Sequence, residues 1–233
     1  MVYSLYAIFN QLNDYQESAG KYEELKNSVQ LNEMKQSDSP GINHEKLLEI
    51  NKDYVGWIDI SGTSISYPIV KGEDNKFYLK HNFFQERDFV GSIFMDYQNS
   101  IVGLDQNTII YGHNMKDKSM FGSLKGYLDE EFYKKHKYLT FTLPNNQTYK
   151  GLIFSVYSTT KVEWLKTDFR EIADFASYLG SINNQSVFQT QTEVGEEDFI
   201  LTLSTCTDRG DDERIIVHAK LLNEGKRIEN END

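Results

Sequence analysis

Apolar and polar positions alternate with a period of two through several short runs, a spacing that predicts strands. The clearest run is Phe199 to Cys206. Phe199, Leu201, Leu203 and Thr205 share one face, and Ile200, Thr202, Ser204 and Cys206 the other. Both faces are partly apolar, as an inner strand requires. A polar, glycine-containing stretch, 207–213, separates this run from Glu213 to Leu222 and reads as a hairpin loop. Earlier strands are expected over 56–60, 64–70, 91–95, 107–112, 138–143 and 147–157, with the last two joined through Pro144, Asn145 and Asn146.

Helical spacing is sparser. Asn43 is placed to cap 45–50 and Asp74 to cap 77–80, while Met120, Phe121, Leu124, Tyr127 and Leu128 recur at helical spacing within 117–136. A longer helix is expected over Asp168 to Gly180, with Phe169, Ile172, Phe175, Ala176 and Leu179 on its apolar face and Thr167 or Asp168 as cap. Residues 10–38 read as a polar helical stretch rich in Glu, Gln and Lys. The chain is therefore mostly strands.

Composition narrows the function. With 233 residues, 39% of them hydrophobic and 13% aromatic, the chain can bury a sizeable core. A net charge of −12 and no visible cluster of Lys and Arg argue against a nucleic-acid partner, because phosphate binding needs such a cluster. The most apolar start, residues 1–9, is less than half of the roughly 20 residues a helical membrane crossing needs.

The chain has one cysteine, Cys206, at the end of a predicted strand. A sole thiol forms neither an internal disulfide nor a multi-cysteine metal site, which leaves packing, an intermolecular bridge or nucleophilic chemistry. Arg214 opens the next strand, and antiparallel pairing of the two brings it close to Cys206, where a fixed positive charge favours thiolate and can bind an oxyanion. Of the five histidines, His113 has the setting of a general acid or base, following the apolar strand 107–112 that ends in glycine. His44, His81, His136 and His218 read as surface or satisfied packing residues. Asp208, Asp211, Asp212 and Glu213 form either a calcium cluster or a solvated loop; no metal and no cofactor is assigned.

These residues carry a resemblance to a known family. Thr202-Leu-Ser-Thr-Cys206 resembles the Thr-Leu-x-Thr-Cys motif of sortases, the cysteine transpeptidases of Gram-positive cell surfaces, with Arg214 where their arginine falls and Tyr111-Gly-His113 matching their histidine segment. Ser204, the run Gly91 to Asp96 and the closing Ile215 to Lys220 are similar to class B in particular, and the likeness covers roughly residues 45 to 222. The resemblance implies a mainly β fold, a closed sortase-type barrel with N-terminal helices and a long helix inserted before the cysteine strand. It divides the chain into a juxtamembrane helical segment (1–42), a catalytic barrel (43–225) and a polar tail (226–233). Class B sortases usually begin with an uncleaved membrane anchor, so this chain is expected to start within or just after one; the other reading is an amphipathic helix packed on the domain.

The resemblance also implies roles. Cys206, His113 and Arg214 become the catalytic set, and Ser204, Thr205, Thr160, Trp164 and Leu165 the candidate peptide contacts. Trp164 has an equal reading as a packing anchor for the inserted helix, and Ser204 as a strand residue filling space. The implied reaction cleaves a sorting peptide of Asn-Pro-x-Thr or Ser-Pro-x-Thr type after its threonine, through a thioester. Transfer then follows to a peptidoglycan amine, or to its lipid-linked precursor, at the outer face of the plasma membrane. The implied partners are surface proteins with C-terminal sorting signals. Alternatives are a pilin-polymerising sortase, a thiol hydrolase that only cleaves, and a non-enzymatic adhesion domain.

Overall fold

The computed structural model describes residues 2–31, 41–206 and 213–223. In chain order the elements are α1 (Val2–Val29), β1 (Gln30–Leu31), β2 (Gly41–Ile42), α2 (His44–Ile50), β3 (Tyr54–Asp59), β4 (Ser66–Val70), β5 (Ile93–Met95) and β6 (Asn107–His113). They continue with α3 (Glu130–Lys135), β7 (Tyr138–Thr142), β8 (Thr148–Thr159), α4 (Ile172–Asn184), β9 (Phe199–Cys206) and β10 (Arg214–Asn223), and short 3-10 turns cover 77–79, 122–128 and 163–165.

Eight strands close into one barrel in the order β10-β8-β7-β3-β4-β5-β6-β9. Most neighbours are antiparallel, but β4 with β5 and β6 with β9 run parallel. The β6–β9 pair joins segments far apart in sequence, and β9 with β10 completes the circle. Every residue of β6 is buried, the polar Asn107, Thr108 and His113 included, as in a strand covered on both faces.

The inserted helix begins later than its periodicity suggests. Phe175, Tyr178, Leu179 and Ile182 form its buried stripe at i, i+3, i+4 and i+7, while Ile172 is 64% exposed. Residues 166–171 lie before the helix and fold back on it: the Phe169 ring packs 4.8 Å from Phe175 and 5.1 Å from Tyr178, and Lys166 pairs with Asp174 at 2.7 Å. Thr167 and Asp168 therefore precede the helix and do not cap it; the capping position falls on Glu171, whose side chain makes no capping bond. The apolar spacing extended upstream because Phe169 packs from a loop.

A similar split occurs within 117–136, where a 3-10 turn at Gly122–Leu128 hands over to α3, capped by the Asp129 carboxylate on the Phe132 amide. Asn43 caps α2 as expected, accepting from the Lys46 amide, whereas 77–79 is a 3-10 turn with Lys76 at its capping position, and Asp74, two residues further out, accepts from the Lys76 and Phe77 amides.

No described helix is long and apolar enough to cross a membrane. The second half of α1 packs on the barrel through Tyr22, Leu25 and Val29, and Ser18 bonds to Asp88 while Lys21 bonds to Glu86. The Tyr22 hydroxyl donates to the Gly91 carbonyl at 2.9 Å and accepts from the Phe83 amide at 3.2 Å. That tyrosine ties α1 to the segment running beneath His113.

Candidate active site

β6 and β9 place His113 and Cys206 as direct partners in a parallel register. Neighbouring strands lie about 4.8 Å apart, so the two backbones meet at one end of the barrel. His113 is the last residue of β6 and not a loop residue after it; its carbonyl still accepts from the Phe121 amide at 3.0 Å. Gly112 must be glycine here, because a side-chain carbon would sit 2.4 Å from Ile93 Cδ1 and 2.7 Å from Phe121 Cγ.

His113 is 5% exposed, and its Nε2 lies 2.8 Å from the Leu79 carbonyl oxygen. A carbonyl has no proton to give, so Nε2 must carry the hydrogen and Nδ1 is the nitrogen left to exchange a proton. Gly91 makes room for this contact. It sits at φ +63°, and a side-chain carbon there would lie 2.7 Å from Tyr78 O, 2.9 Å from Leu79 O and 3.1 Å from His113 Cδ2.

Arg214 opens β10, which runs antiparallel to β9 with Ile216 opposite Ser204. Its Nη1 donates to the Thr205 carbonyl at 2.9 Å, the peptide group that joins Thr205 to Cys206. Among the described residues the rest of its planar fork has no further partner, and its donors suit a ligand. Thr205 stitches the same corner from its side chain, its Oγ1 accepting from the Ile215 amide at 3.1 Å. Ser204 is fully buried, with its hydroxyl 3.4 Å from the Thr205 carbonyl.

The remaining candidates lie together on the segment that leaves β8 just after Thr159, the residue paired with Arg214. Thr160 is exposed and Leu165 half-buried. Trp164 is 4% exposed; its Nε1 donates to Lys161 O at 2.9 Å, and its ring meets Tyr111 edge-on at 6.1 Å. The ring anchors the segment to the barrel. Tyr111 in turn donates to the Asp96 carboxylate at 2.6 Å, which also accepts from Asn75 at 2.8 Å.

Among the described residues, no group of three or more His, Cys, Asp or Glu side chains is placed to hold a metal ion. Asp208, Asp211 and Asp212, read above with Glu213 as either a calcium cluster or a solvated loop, lie outside the described residues. A cleft of about 820 Å³ opens between α4 and residues 190–197, but it contains neither His113 nor Arg214. Leu79 escaped the sequence reading, which had Asp96 only as the end of the run Gly91 to Asp96. Leu79 acts through its backbone carbonyl, which no side-chain pattern announces.

The barrel is closed and mixed, and it brings a histidine into register with the chain's sole cysteine, beside an arginine on the next strand. The family model described as Sortase domain matches residues 58–222, and the chain belongs to the sortase family. The relatives it resembles are of class B. Sortase B of Listeria monocytogenes is 46% identical over 180 residues, covering 76% of this chain and 72% of that protein. The crystal structure of sortase B from B. anthracis superposes with a TM-score of 0.82 at 41% identity, covering 91% of this chain and 99% of that one. A Staphylococcus aureus sortase B–substrate complex gives 0.81 at 36% identity, with the same coverage of each chain.

Proposed function

We propose that this protein is a cysteine transpeptidase in which Cys206 is the nucleophile, His113 the general acid and base, and Arg214 the cation at the oxyanion or on the peptide carbonyls. The observation that carries the reading is the cross-strand register of His113 with Cys206, beside an arginine bonded to the Thr205 carbonyl. The likeness to a sortase B that has been captured with substrate supports a peptide as the ligand.

In the proposed reaction the Cys206 thiolate attacks the carbonyl carbon of a threonine in an extended sorting peptide. The tetrahedral oxyanion forms beside the Arg214 guanidinium. Its collapse breaks the peptide C–N bond, and the departing amine takes a proton from His113 Nδ1, leaving a thioester on Cys206. An incoming amine attacks the thioester carbonyl, His113 takes its proton, and the thiolate leaves. The substrates are surface proteins with a C-terminal signal of Asn-Pro-x-Thr or Ser-Pro-x-Thr type, and the acceptor is an amine of peptidoglycan or its lipid-linked precursor. Thr160 and Leu165 face the peptide site, and the buried Trp164, Ser204 and Thr205 shape it through packing and backbone bonding. The barrel, 43–225, is the catalytic unit, with 1–42 as its juxtamembrane spacer and 226–233 as a polar tail. The setting is the outer face of the plasma membrane of a Gram-positive bacterium, reached through an N-terminal anchor.

Product analysis with and without an added amine tests the reaction type. A transpeptidase gives a threonyl amide when a short glycine peptide is present. A hydrolase gives the free threonine acid in both cases, and a pilin-polymerising enzyme gives ladders when a lysine-bearing pilin is the acceptor.

A further inference from the structure

Asn107 opens β6, six residues before His113, and is completely buried. Its amide is fully matched. The Nδ2 group donates to Lys166 O at 2.8 Å, to the Tyr178 hydroxyl at 3.0 Å and, at 3.4 Å, towards Trp164 O. The Tyr178 hydroxyl passes its own proton to Trp164 O at 2.9 Å. Two main-chain carbonyls of the segment after β8 are thus held by one asparagine and one tyrosine.

The other side of the amide is fixed as firmly. Asn107 Oδ1 accepts from the Thr202 hydroxyl at 2.5 Å, and that hydroxyl lies 2.8 Å from His218 Nδ1. The single Thr202 proton goes to Oδ1, which has none of its own, so His218 Nδ1 must donate to Thr202. His218 Nε2 then accepts from the Tyr157 hydroxyl at 3.0 Å, and burial keeps the ring neutral. No member of the chain can turn without leaving a buried group unmatched, and each such orphan is costly. Thr202 is the first residue of the Thr-Leu-Ser-Thr-Cys run, and its hydroxyl is committed to this network, not to a ligand.

We propose that Asn107 is a positioning residue for the peptide groove: through Trp164 O and Lys166 O it sets the place of the wall segment 160–166, with Thr202 and His218 locking its amide. This rests on the reading of Thr160, Trp164 and Leu165 as the groove wall. One end of that wall is already held beside Arg214 by the Thr159 pairing, so the asparagine fixes the end that β8 leaves loose.

Steady-state kinetics of Asn107→Ala with a Pro-x-Thr peptide, combined with two readouts independent of peptide, test the inference. KM rises about tenfold while kcat stays within about threefold, the pattern of lost ground-state positioning. The rate of Cys206 alkylation by iodoacetamide stays at the wild-type value. In a Trp57→Phe background, which leaves Trp164 as the sole indole, acrylamide quenching of Trp164 at least doubles. Thr202→Val, which keeps the shape and removes the relay hydroxyl, moves KM and quenching in the same direction, and Thr202→Ser restores both. This second pair decides the matter if Asn107→Ala does not fold. A lowered melting temperature with wild-type KM and wild-type quenching overturns the inference. If the wild-type protein turns over no peptide, the groove reading itself fails, and quenching alone decides whether Asn107 holds the segment.

Discussion

His113 Nε2 stands 2.8 Å from the carbonyl oxygen of Leu79. Because the carbonyl can only accept, the contact fixes the neutral tautomer with the hydrogen on Nε2 and the lone pair on Nδ1. Nitrogen chemical shifts of ¹⁵N-histidine-labelled protein, assigned by comparison with His113→Gln, check this. The neutral ring of His113 gives a protonated Nε2 and a bare Nδ1; the opposite pattern contradicts the assignment.

Gly91 keeps that contact possible, so Gly91→Ala is expected to damage both stability and activity. The new carbon meets main-chain oxygens at 2.7 and 2.9 Å, and the backbone at φ +63° is strained for any L side chain. A loss of roughly 1–3 kcal/mol in urea unfolding is expected, with kcat/KM falling more than the unfolded fraction explains. Wild-type kcat/KM in a destabilised Gly91→Ala protein contradicts a role for the Leu79 contact.

Arg214→Lys keeps the charge but loses the planar fork that reaches Thr205 O. The expected fall in kcat/KM is about 10²-fold, the scale of losing one oxyanion donor, with Arg214→Ala lower still. Near wild-type turnover in the lysine variant reduces the role to charge alone.

His218 makes stability depend on pH. Burial lowers its pKa to about 3, below its ordinary value of 6.5. Between those two values the unfolded chain binds a proton that the folded protein does not, so stability is fully present above pH 6.5 and declines as pH falls. From this residue alone the protein is expected to be about 2 kcal/mol less stable at pH 5 than at pH 8, and His44, lowered by burial too, adds in the same direction. Urea unfolding across that range shows a smaller slope in His218→Gln; an unchanged slope contradicts the account.

The local half of this architecture was legible in the chain. The β9–β10 pairing follows from two alternating runs and a polar loop, and it puts Arg214 beside the cysteine without any distant information. The parallel pairing of β6 with β9 was not legible, since nothing in residues 107–113 names a partner that lies some ninety positions later. His113 was picked out by its strand-end setting and placed one residue outside its strand, because glycine before it looked like a terminator and is instead a close-packing site under Phe121. The helix start was misjudged for the same kind of reason, an aromatic that packs from a loop. Asn107 left a faint signal, a lone amide heading an apolar strand at even spacing from His113.

The central claim is that Cys206 forms a covalent acyl link to a sorting peptide with help from His113 and Arg214. Intact-protein mass spectrometry after mixing the enzyme with a small library of x-Pro-x-Thr peptides tests it most directly. The account predicts a mass increase equal to the peptide up to its threonine, mapped to Cys206. It is absent in Cys206→Ala and much reduced in His113→Ala and Arg214→Ala. An adduct that persists in Cys206→Ala, or full acylation in His113→Ala, contradicts it.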